Sequence, residues 1–392
     1  MKIVYAADTY PPDISGAATF ARDLAVGMSK RGHEVHVIAP SPSAEPYRRK
    51  VDGVIEHRMR SHEYPLFKGF YICMPWEVNA TVAQILHKLQ PDVVHTQAHF
   101  VVGRYTCKWA NRLDLPLVAT NHFMPENLVD HLPIPVPRFL VKAGADLAWN
   151  DLGQVYRRAD RLTAPTANAV NLLRTRAHLG GAVPVSCGID SPKYLAAAKR
   201  APQNQVPRLL FVGRLEQEKR VNEVIEALSF LGADTPLRFD VVGDGSKRAE
   251  LEAQARALGV ADRVTFHGFV SDQDLVDFYG RCDIFVNAGI AELQSIVTLE
   301  ALSAAKPVVL ANAVALPHLV RDGQNGFLFE PGDTRQLSQI LAKLAKDPDL
   351  RHRMGQVSLS VVAPHSFENT LNAFTSIYED AIDKVARGRH SA

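Results

Sequence analysis

Short, wholly apolar segments alternate with helical stretches along almost the entire chain, and that alternation leaves few folds open. Ile3-Val4-Tyr5-Ala6-Ala7 reads as a buried strand; after a loop holding Pro11, Pro12 and Gly16, Thr19 to Arg31 reads as a helix ended by Gly32, and His33 to Ala39 as the next strand. Asp92 to His95, Leu117 to Thr120 and Arg161 to Ala164 continue the pattern. Apolar strands separated by helices imply a parallel sheet covered on both faces.

The pattern breaks over Val183 to Pro207, where Pro-Val-Ser-Cys-Gly-Ile-Asp-Ser-Pro gives way to a polar run, and then resumes. Arg208 to Val212, Phe239 to Val242, Val264 to Phe266, Ile284 to Val286 and Pro307 to Leu310 form a second strand series. The chain of 392 residues is long enough for two such domains. The expected organisation is an α/β domain over 1–190, a linker over 191–207, a second over 208–367, and a helix in 368–392 that returns to the first. Two doubly wound domains on this plan are expected to face each other across a cleft, with ligands at the carboxyl ends of the strands.

Charge and cysteine exclude several functions. With 44 Lys and Arg against 42 Asp and Glu, the net charge of +2 is too small for a nucleic-acid footprint. It is unevenly spread: through Asp190 there are 21 basic and 17 acidic side chains, so the first half carries +4 and the rest −2. The four cysteines, Cys73, Cys107, Cys187 and Cys282, are too far apart for CxxC zinc or redox chemistry, which suits a reduced cytoplasmic protein. No signal-peptide core and no apolar run of 18 residues is present, so membrane contact is expected to be peripheral.

The motif that bears most on chemistry is Ala291-Glu292-Leu293-Gln294-Ser295-Ile296-Val297-Thr298-Leu299-Glu300, two glutamates flanking a loop-to-helix junction. A helix starting near Ser295 would offer its free N–H groups and positive dipole end to a diphosphate. Eight helical steps span about 12 Å, so the carboxylates would reach opposite ends of a nucleotide sugar. Two glutamates eight apart are common in themselves; the context gives them weight. Upstream, strand Leu209 to Val212 runs into Gly213-Arg214-Leu215-Glu216-Gln217-Glu218-Lys219, which puts a permissive glycine and two cations at a strand's carboxyl end.

Other patterns point elsewhere and fail on context. Asp272-Gln273-Asp274 spells a metal-binding DxD, yet it follows Ser271 at a helix start, where acidic residues suit the dipole. His95 and His99 have zinc spacing, but His95 ends a strand. Gly243-Asp244-Gly245 lacks the third glycine of a dinucleotide fingerprint. No metal site is expected.

Taken in order, Pro11-Pro12 with Gly16-Ala17, Thr120-Asn121-His122-Phe123, Gly213-Arg214 with Lys219, Gly243-Asp244-Gly245, and Glu292 to Glu300 resemble the retaining family 4 glycosyltransferases of the GT-B fold. The set covers nearly the whole chain. It departs from the family in having Ser15-Gly16-Ala17 for a usual Gly pair and Glu292-Leu293-Gln294-Ser295 for Glu-Gly-Phe-Gly. With Asn121 to Asn127 and Ser186 to Asp190, those departures resemble the branch that makes glycosyl diacylglycerols.

The resemblance implies roles. Glu292 would bind donor-sugar hydroxyls and Glu300 the ribose; Arg214 and Lys219, with Gly213 and the Leu293-Gln294-Ser295-Ile296 backbone, would hold the diphosphate. Gly16 would let the first-domain loop close over it, backbone near Phe269 and Val270 would meet the base, and His122 would sit beside the transferred sugar. A UDP- or GDP-hexose, carrying glucose or mannose, would be the donor substrate, with no cofactor, and a diacylglycerol-class lipid the acceptor. The alternatives are a soluble acceptor such as inositol phosphate or a small metabolite, a nucleotide-sugar epimerase on the same plan, and a silent nucleotide-sugar binder.

Cations and aromatics in Arg48-Arg49-Lys50, Arg58-Met59-Arg60 and Tyr64 to Tyr71, with a second candidate in Pro137 to Lys142, suggest docking on an anionic surface at the inner face of the cell membrane.

Overall fold

The computed structural model describes residues 1–13, 15–63, 71–125 and 138–390, which divide into two compact units. The first takes in the described residues up to Cys187 together with those from Thr370 onward, and the second spans Gly188–Asn369.

The first unit is built on an eight-stranded sheet: β1 (Lys2–Ala6), β2 (Glu34–Pro40), β3 (Tyr47–Val51), β4 (Val54–Met59), then, past a small antiparallel pair β5 (His62–Glu63) and β6 (Tyr71–Ile72), β7 (Val93–Thr96), β8 (Leu117–Thr120), β9 (Arg161–Ala164) and β10 (Val183–Pro184). Their order is β10-β9-β8-β7-β1-β2-β4-β3, parallel except for the edge strand β3. The inner strands read as continuous apolar runs because both faces are covered; β1 is buried at every position after Lys2. The covering helices are α1 (Gly16–Lys30), α2 (Pro75–Leu89), α3 (Val101–Arg112), α4 (Arg138–Tyr156) and α5 (Ala167–Arg176). Helix α1 begins three residues before the expected Thr19 because Ser15 caps it, its Oγ accepting from the Ala18 N–H at 3.1 Å.

The β3–β4 hairpin was not anticipated. It turns on Asp52 and Gly53, both at positive φ (50° and 84°), the geometry that a two-residue hairpin loop requires.

The second unit carries an all-parallel six-stranded sheet: β11 (Arg208–Val212), β12 (Arg238–Val242), β13 (Val264–Gly268), β14 (Ile284–Asn287), β15 (Val308–Ala311) and β16 (Gly326–Phe329), ordered β13-β12-β11-β14-β15-β16. Its helices are α6 (Ser191–Arg200), α7 (Val221–Ser229), α8 (Arg248–Ala257), α9 (Asp272–Arg281), α10 (Ile296–Ser303), α11 (Thr334–Lys346) and α12 (Pro348–Val362). The stretch expected as a linker over 191–207 therefore holds a helix, α6, which packs on α9 and α10 through the buried Tyr194 and Ala197. Strand order reverses between β11 and β14, so the carboxyl ends of these two neighbours flank the switch point at which such sheets bind ligands.

The last helix, α13 (Phe367–His390), belongs to the first unit from Thr370 onward. Its Tyr378 hydroxyl bonds the Tyr5 hydroxyl at 2.9 Å and His95 Nδ1 at 2.8 Å, while His95 Nε2 meets Thr120 Oγ1 at 2.7 Å. This buried chain ties α13 to β1, β7 and β8, and His95 serves it rather than a metal. Burial holds the His95 imidazole neutral, its pKa pushed down to about 3.

Candidate functional site

Both sides of the β11/β14 switch point are lined by the residues singled out in the sequence. After β11 the chain turns at Gly213, whose φ of 153° favours glycine. The loop after β12 presses on this turn: a Cβ on Gly243 would lie 2.0 Å from the Gly213 carbonyl oxygen, and one on Gly245 2.5 Å from that of Leu215. The Gly-Asp-Gly motif is thus a close-approach device that braces the Gly213–Lys219 loop. The Leu215 N–H, donating to the Asp244 carbonyl at 2.9 Å, and Glu216, accepting from the Ser246 N–H and hydroxyl, complete the brace.

Lys219 closes a single helical turn, Gln217–Lys219, and its Nζ lies 2.6 Å from Glu292 Oε1. The two side chains are only 18% and 13% exposed. Arg214 is half exposed and donates from Nη2 to Oε1 of the buried Glu218 at 3.2 Å; Oε2 of Glu218 has no partner. The Ile290 N–H donates to the Glu218 carbonyl at 3.0 Å, which joins the loop after β11 to the loop after β14.

On the β14 side, Glu292 stands in the loop and α10 begins at Ile296 with Ser295 as its cap residue, as the sequence implied. The Ser295 hydroxyl makes no capping bond to the helix backbone; it accepts from Asn287 Nδ2 at 3.0 Å and bonds Thr298 Oγ1 at 2.8 Å. With the cap oxygen turned aside, the first turn of α10 keeps its dipole available to an anion. Leu293 is buried and Gln294 and Ile296 half-buried along this junction.

Glu300 lies one turn into α10. Its Oε1 accepts from the Tyr194 hydroxyl at 2.7 Å, and its Oε2 is enclosed without a partner. Burial raises its pKa, against the lowering influence of Tyr279 and Tyr194. Past β13, Phe269 is 64% exposed and Val270 half-buried.

Gly16 and His122 belong to the first unit. Gly16 opens α1, and the His122 ring meets Phe20 of that helix at 4.8 Å between centroids, tilted by 56°. Its Nε2 is enclosed without a partner, and burial pushes its pKa down to about 4, so the ring is neutral.

Asp272 and Asp274 form the first turn of α9, where the Asp274 N–H donates to the Ser271 hydroxyl at 3.1 Å and Asp274 Oδ2 accepts from that hydroxyl at 2.7 Å: a helix cap. Among the described residues no cluster of three or more His, Cys, Asp or Glu is placed to hold a metal, and no helix is long and apolar enough to cross a membrane.

The cationic stretch of the first unit, expected as a surface patch, is only partly at the surface. Arg58 is buried, donating from Nε to Glu56 at 3.0 Å, from Nη1 to the Pro40 carbonyl at 3.0 Å and from Nη2 to the Pro11 carbonyl at 2.6 Å; it holds the sheet edge and offers nothing to a surface. Arg48, Arg49 and Lys50 are exposed on β3, but Arg49 pairs with Glu56. Tyr64 to Phe70 and Pro137 lie outside the described residues; Leu140 and Lys142 are exposed on α4.

Sequence reasoning named Ser295 but missed Tyr194, Glu218 and the bonds that Asn287 and Thr298 make to Ser295. Glu218 had a signal, its place between Arg214 and Lys219 in the loop after a strand; Tyr194 had none, since its partner lies 106 residues away.

Two doubly wound sheets, parallel but for the edge strand β3, with Lys219 paired to Glu292 at the switch point of the second, give the GT-B fold. The profile described as Glycosyltransferase Family 4 matches residues 14–191 and that described as Glycosyl transferases group 1 matches residues 196–358; the chain belongs to the family 4 glycosyltransferases. It is 24% identical over 401 aligned positions to the alpha-monoglucosyldiacylglycerol synthase of Acholeplasma laidlawii, covering 98% of both chains. It is 29% identical over 324 positions to the D-inositol 3-phosphate glycosyltransferase of Streptomyces scabiei, covering 76% of this chain and 70% of that one. In fold it is similar to Anabaena HepE in complex with UDP-glucose, with a TM-score of 0.71 at 18% identity over the whole of both chains. The protein is therefore an enzyme that uses a nucleotide-sugar donor.

Proposed function

We propose that the enzyme transfers a hexosyl unit, with retention of anomeric configuration, from a UDP- or GDP-hexose to a lipid acceptor of the diacylglycerol class. The observation that carries the acceptor is the similarity to a diacylglycerol glucosyl-transferring enzyme across nearly the full length of both chains. The Lys219–Glu292 pair and Arg214 support the donor chemistry, because they offer cations suited to a leaving diphosphate and a carboxylate suited to sugar hydroxyls.

In this reading Arg214, Lys219 and the first turn of α10 stabilise the charge that grows on the departing diphosphate, and Glu292 holds the sugar. The bond between the anomeric carbon and the diphosphate oxygen breaks, the acceptor oxygen bonds that carbon on the same face, and the acceptor's proton passes to the leaving phosphate. No protein nucleophile and no metal ion takes part. His122, neutral through burial, serves as a hydrogen-bonding group beside the sugar. Glu300 accepts from the ribose, and backbone at Phe269 and Val270 meets the base.

A second reading, transfer to an inositol phosphate, is favoured by the similarity to the inositol-phosphate enzyme. Incubation with a matrix of nucleotide sugars against diacylglycerol, lipid extracts and inositol phosphates, with products read by mass spectrometry, separates the two. A glycosylated lipid supports the proposal; a glycosylated inositol phosphate with no lipid product overturns it.

A further inference from the structure

Glu300 is the one carboxylate of the α10 motif whose partner comes from a segment that the sequence assigned to a linker. Tyr194, 3% exposed on α6, donates its hydroxyl to Oε1 at 2.7 Å. The tyrosine is itself fixed: its ring meets that of Tyr279 edge-on at 5.5 Å, and Ser191 at the start of α6 bonds Ser303 at the end of α10 at 2.9 Å. The other carboxylate oxygen, Oε2, is enclosed and has no hydrogen-bond partner. A carboxylate with one oxygen occupied and the other orphaned is costly to keep unless a ligand completes it.

We propose that Tyr194 is a positioning residue for the donor: by holding Oε1, it fixes the Glu300 carboxylate in one rotamer and leaves Oε2 to accept from a ribose hydroxyl. This rests on the reading of Glu300 as the ribose-binding group and adds what orients it. The groups that face the carboxylate are Tyr194 and Lys193 from α6 and Tyr279 and Asp272 from α9; the Tyr279 hydroxyl approaches as a donor and lowers the carboxyl's pKa, yet neither that hydroxyl nor Oε2 completes a hydrogen bond of good geometry, so Oε2 keeps room for a ligand donor. Burial raises the Glu300 pKa and the Tyr194 bond lowers it, so loss of that bond moves its titration to higher pH.

The test is Tyr194→Phe, which keeps the ring against Tyr279, compared with Glu300→Ala by calorimetric titration of UDP and GDP across the acid range. The ribose reading predicts that Glu300→Ala weakens whichever nucleotide binds. The positioning role predicts that Tyr194→Phe weakens it by about three- to tenfold, raises the donor KM while leaving kcat near wild type, and shifts the acid-side loss of affinity upward in pH. The penalty for 2′-deoxy- or 3′-deoxyribose should also shrink in Tyr194→Phe. If Glu300→Ala weakens binding and Tyr194→Phe changes neither affinity nor the pH profile, Tyr194 does not position Glu300, although the ribose reading stands. If Glu300→Ala leaves affinity unchanged, the ribose reading falls and this inference with it. Should Tyr194→Phe misfold, Tyr194→His, which keeps an aromatic ring and displaces the donor from Oε1, takes its place, and nucleotide affinity and a pH profile equal to wild type in that variant would likewise overturn the positioning role.

Discussion

Replacing Glu292 by Gln keeps the size of the side chain and removes one charge from the Lys219–Glu292 pair. With Nζ 2.6 Å from Oε1 and both side chains mostly buried, the gross attraction at an effective dielectric of about 20 is on the order of 6 kcal/mol, most of it offset by desolvation of the two ions. Glutamine still presents an oxygen to Lys219. The folding loss is therefore the difference between a charge-assisted and a neutral hydrogen bond, about 1–2 kcal/mol. That shifts the thermal midpoint of a domain of this size by only a few degrees. Turnover should fall further than folding explains: at saturating donor, and at a temperature where both forms are fully folded, kcat drops at least about tenfold, or about 1.4 kcal/mol of transition-state stabilisation. Steady-state product formation and thermal unfolding on the same preparations check both figures. Turnover within twofold of wild type would remove Glu292 from the site, and a collapse of the midpoint alongside activity would make the pair a structural brace.

Arg214→Ala and Lys219→Ala should each reduce turnover more than nucleotide affinity, since their charge matters most as the diphosphate leaves, and excess EDTA should change nothing; activity lost to chelator and restored by a divalent cation would return Asp272 and Asp274 to consideration. An α-linked donor should give an α-linked product, and a coupling constant showing β linkage would exclude same-face transfer. Burial holds His57, His99, His122 and His365 to about 4 and His95 to about 3, so the unfolded chain binds more protons between about pH 6.5 and 4. Stability in urea should therefore fall as pH drops through that window, opposed only in part by the buried Asp8, raised to about 6; a midpoint that is flat or rises on acidification contradicts the buried neutral imidazoles. In flotation assays the protein should bind anionic vesicles and release partly at high salt, with Arg48 and Lys50 mattering more than Arg49, which is engaged by Glu56; equal recovery with neutral and anionic vesicles would count against docking.

Local pattern determined much of this protein. Runs such as Ile3 to Ala6 and Leu209 to Val212 read as buried parallel strands, because they are too short for a buried helix and alternate with helical stretches. The order of Gly213, Arg214, Lys219, Glu292 and Glu300 already placed the cations and Glu292 in loops after strands and Glu300 in the helix that follows. Asp52-Gly53 is a legible hairpin signal, from which β3 and β4 follow, although the strand-and-helix alternation does not contain them. Tertiary structure alone decided which charges are free. Arg58 looks like its exposed neighbours in the sequence, yet the pleat turns it inward onto Glu56 and the Pro11 and Pro40 carbonyls. Tyr194 reaches Glu300, and Tyr378 reaches Tyr5, across separations of 106 and 373 residues. Sequence periodicity reports only which face of an element is apolar. The partner of a buried polar group is set by how distant elements pack, because the bond forms only after both have lost their water.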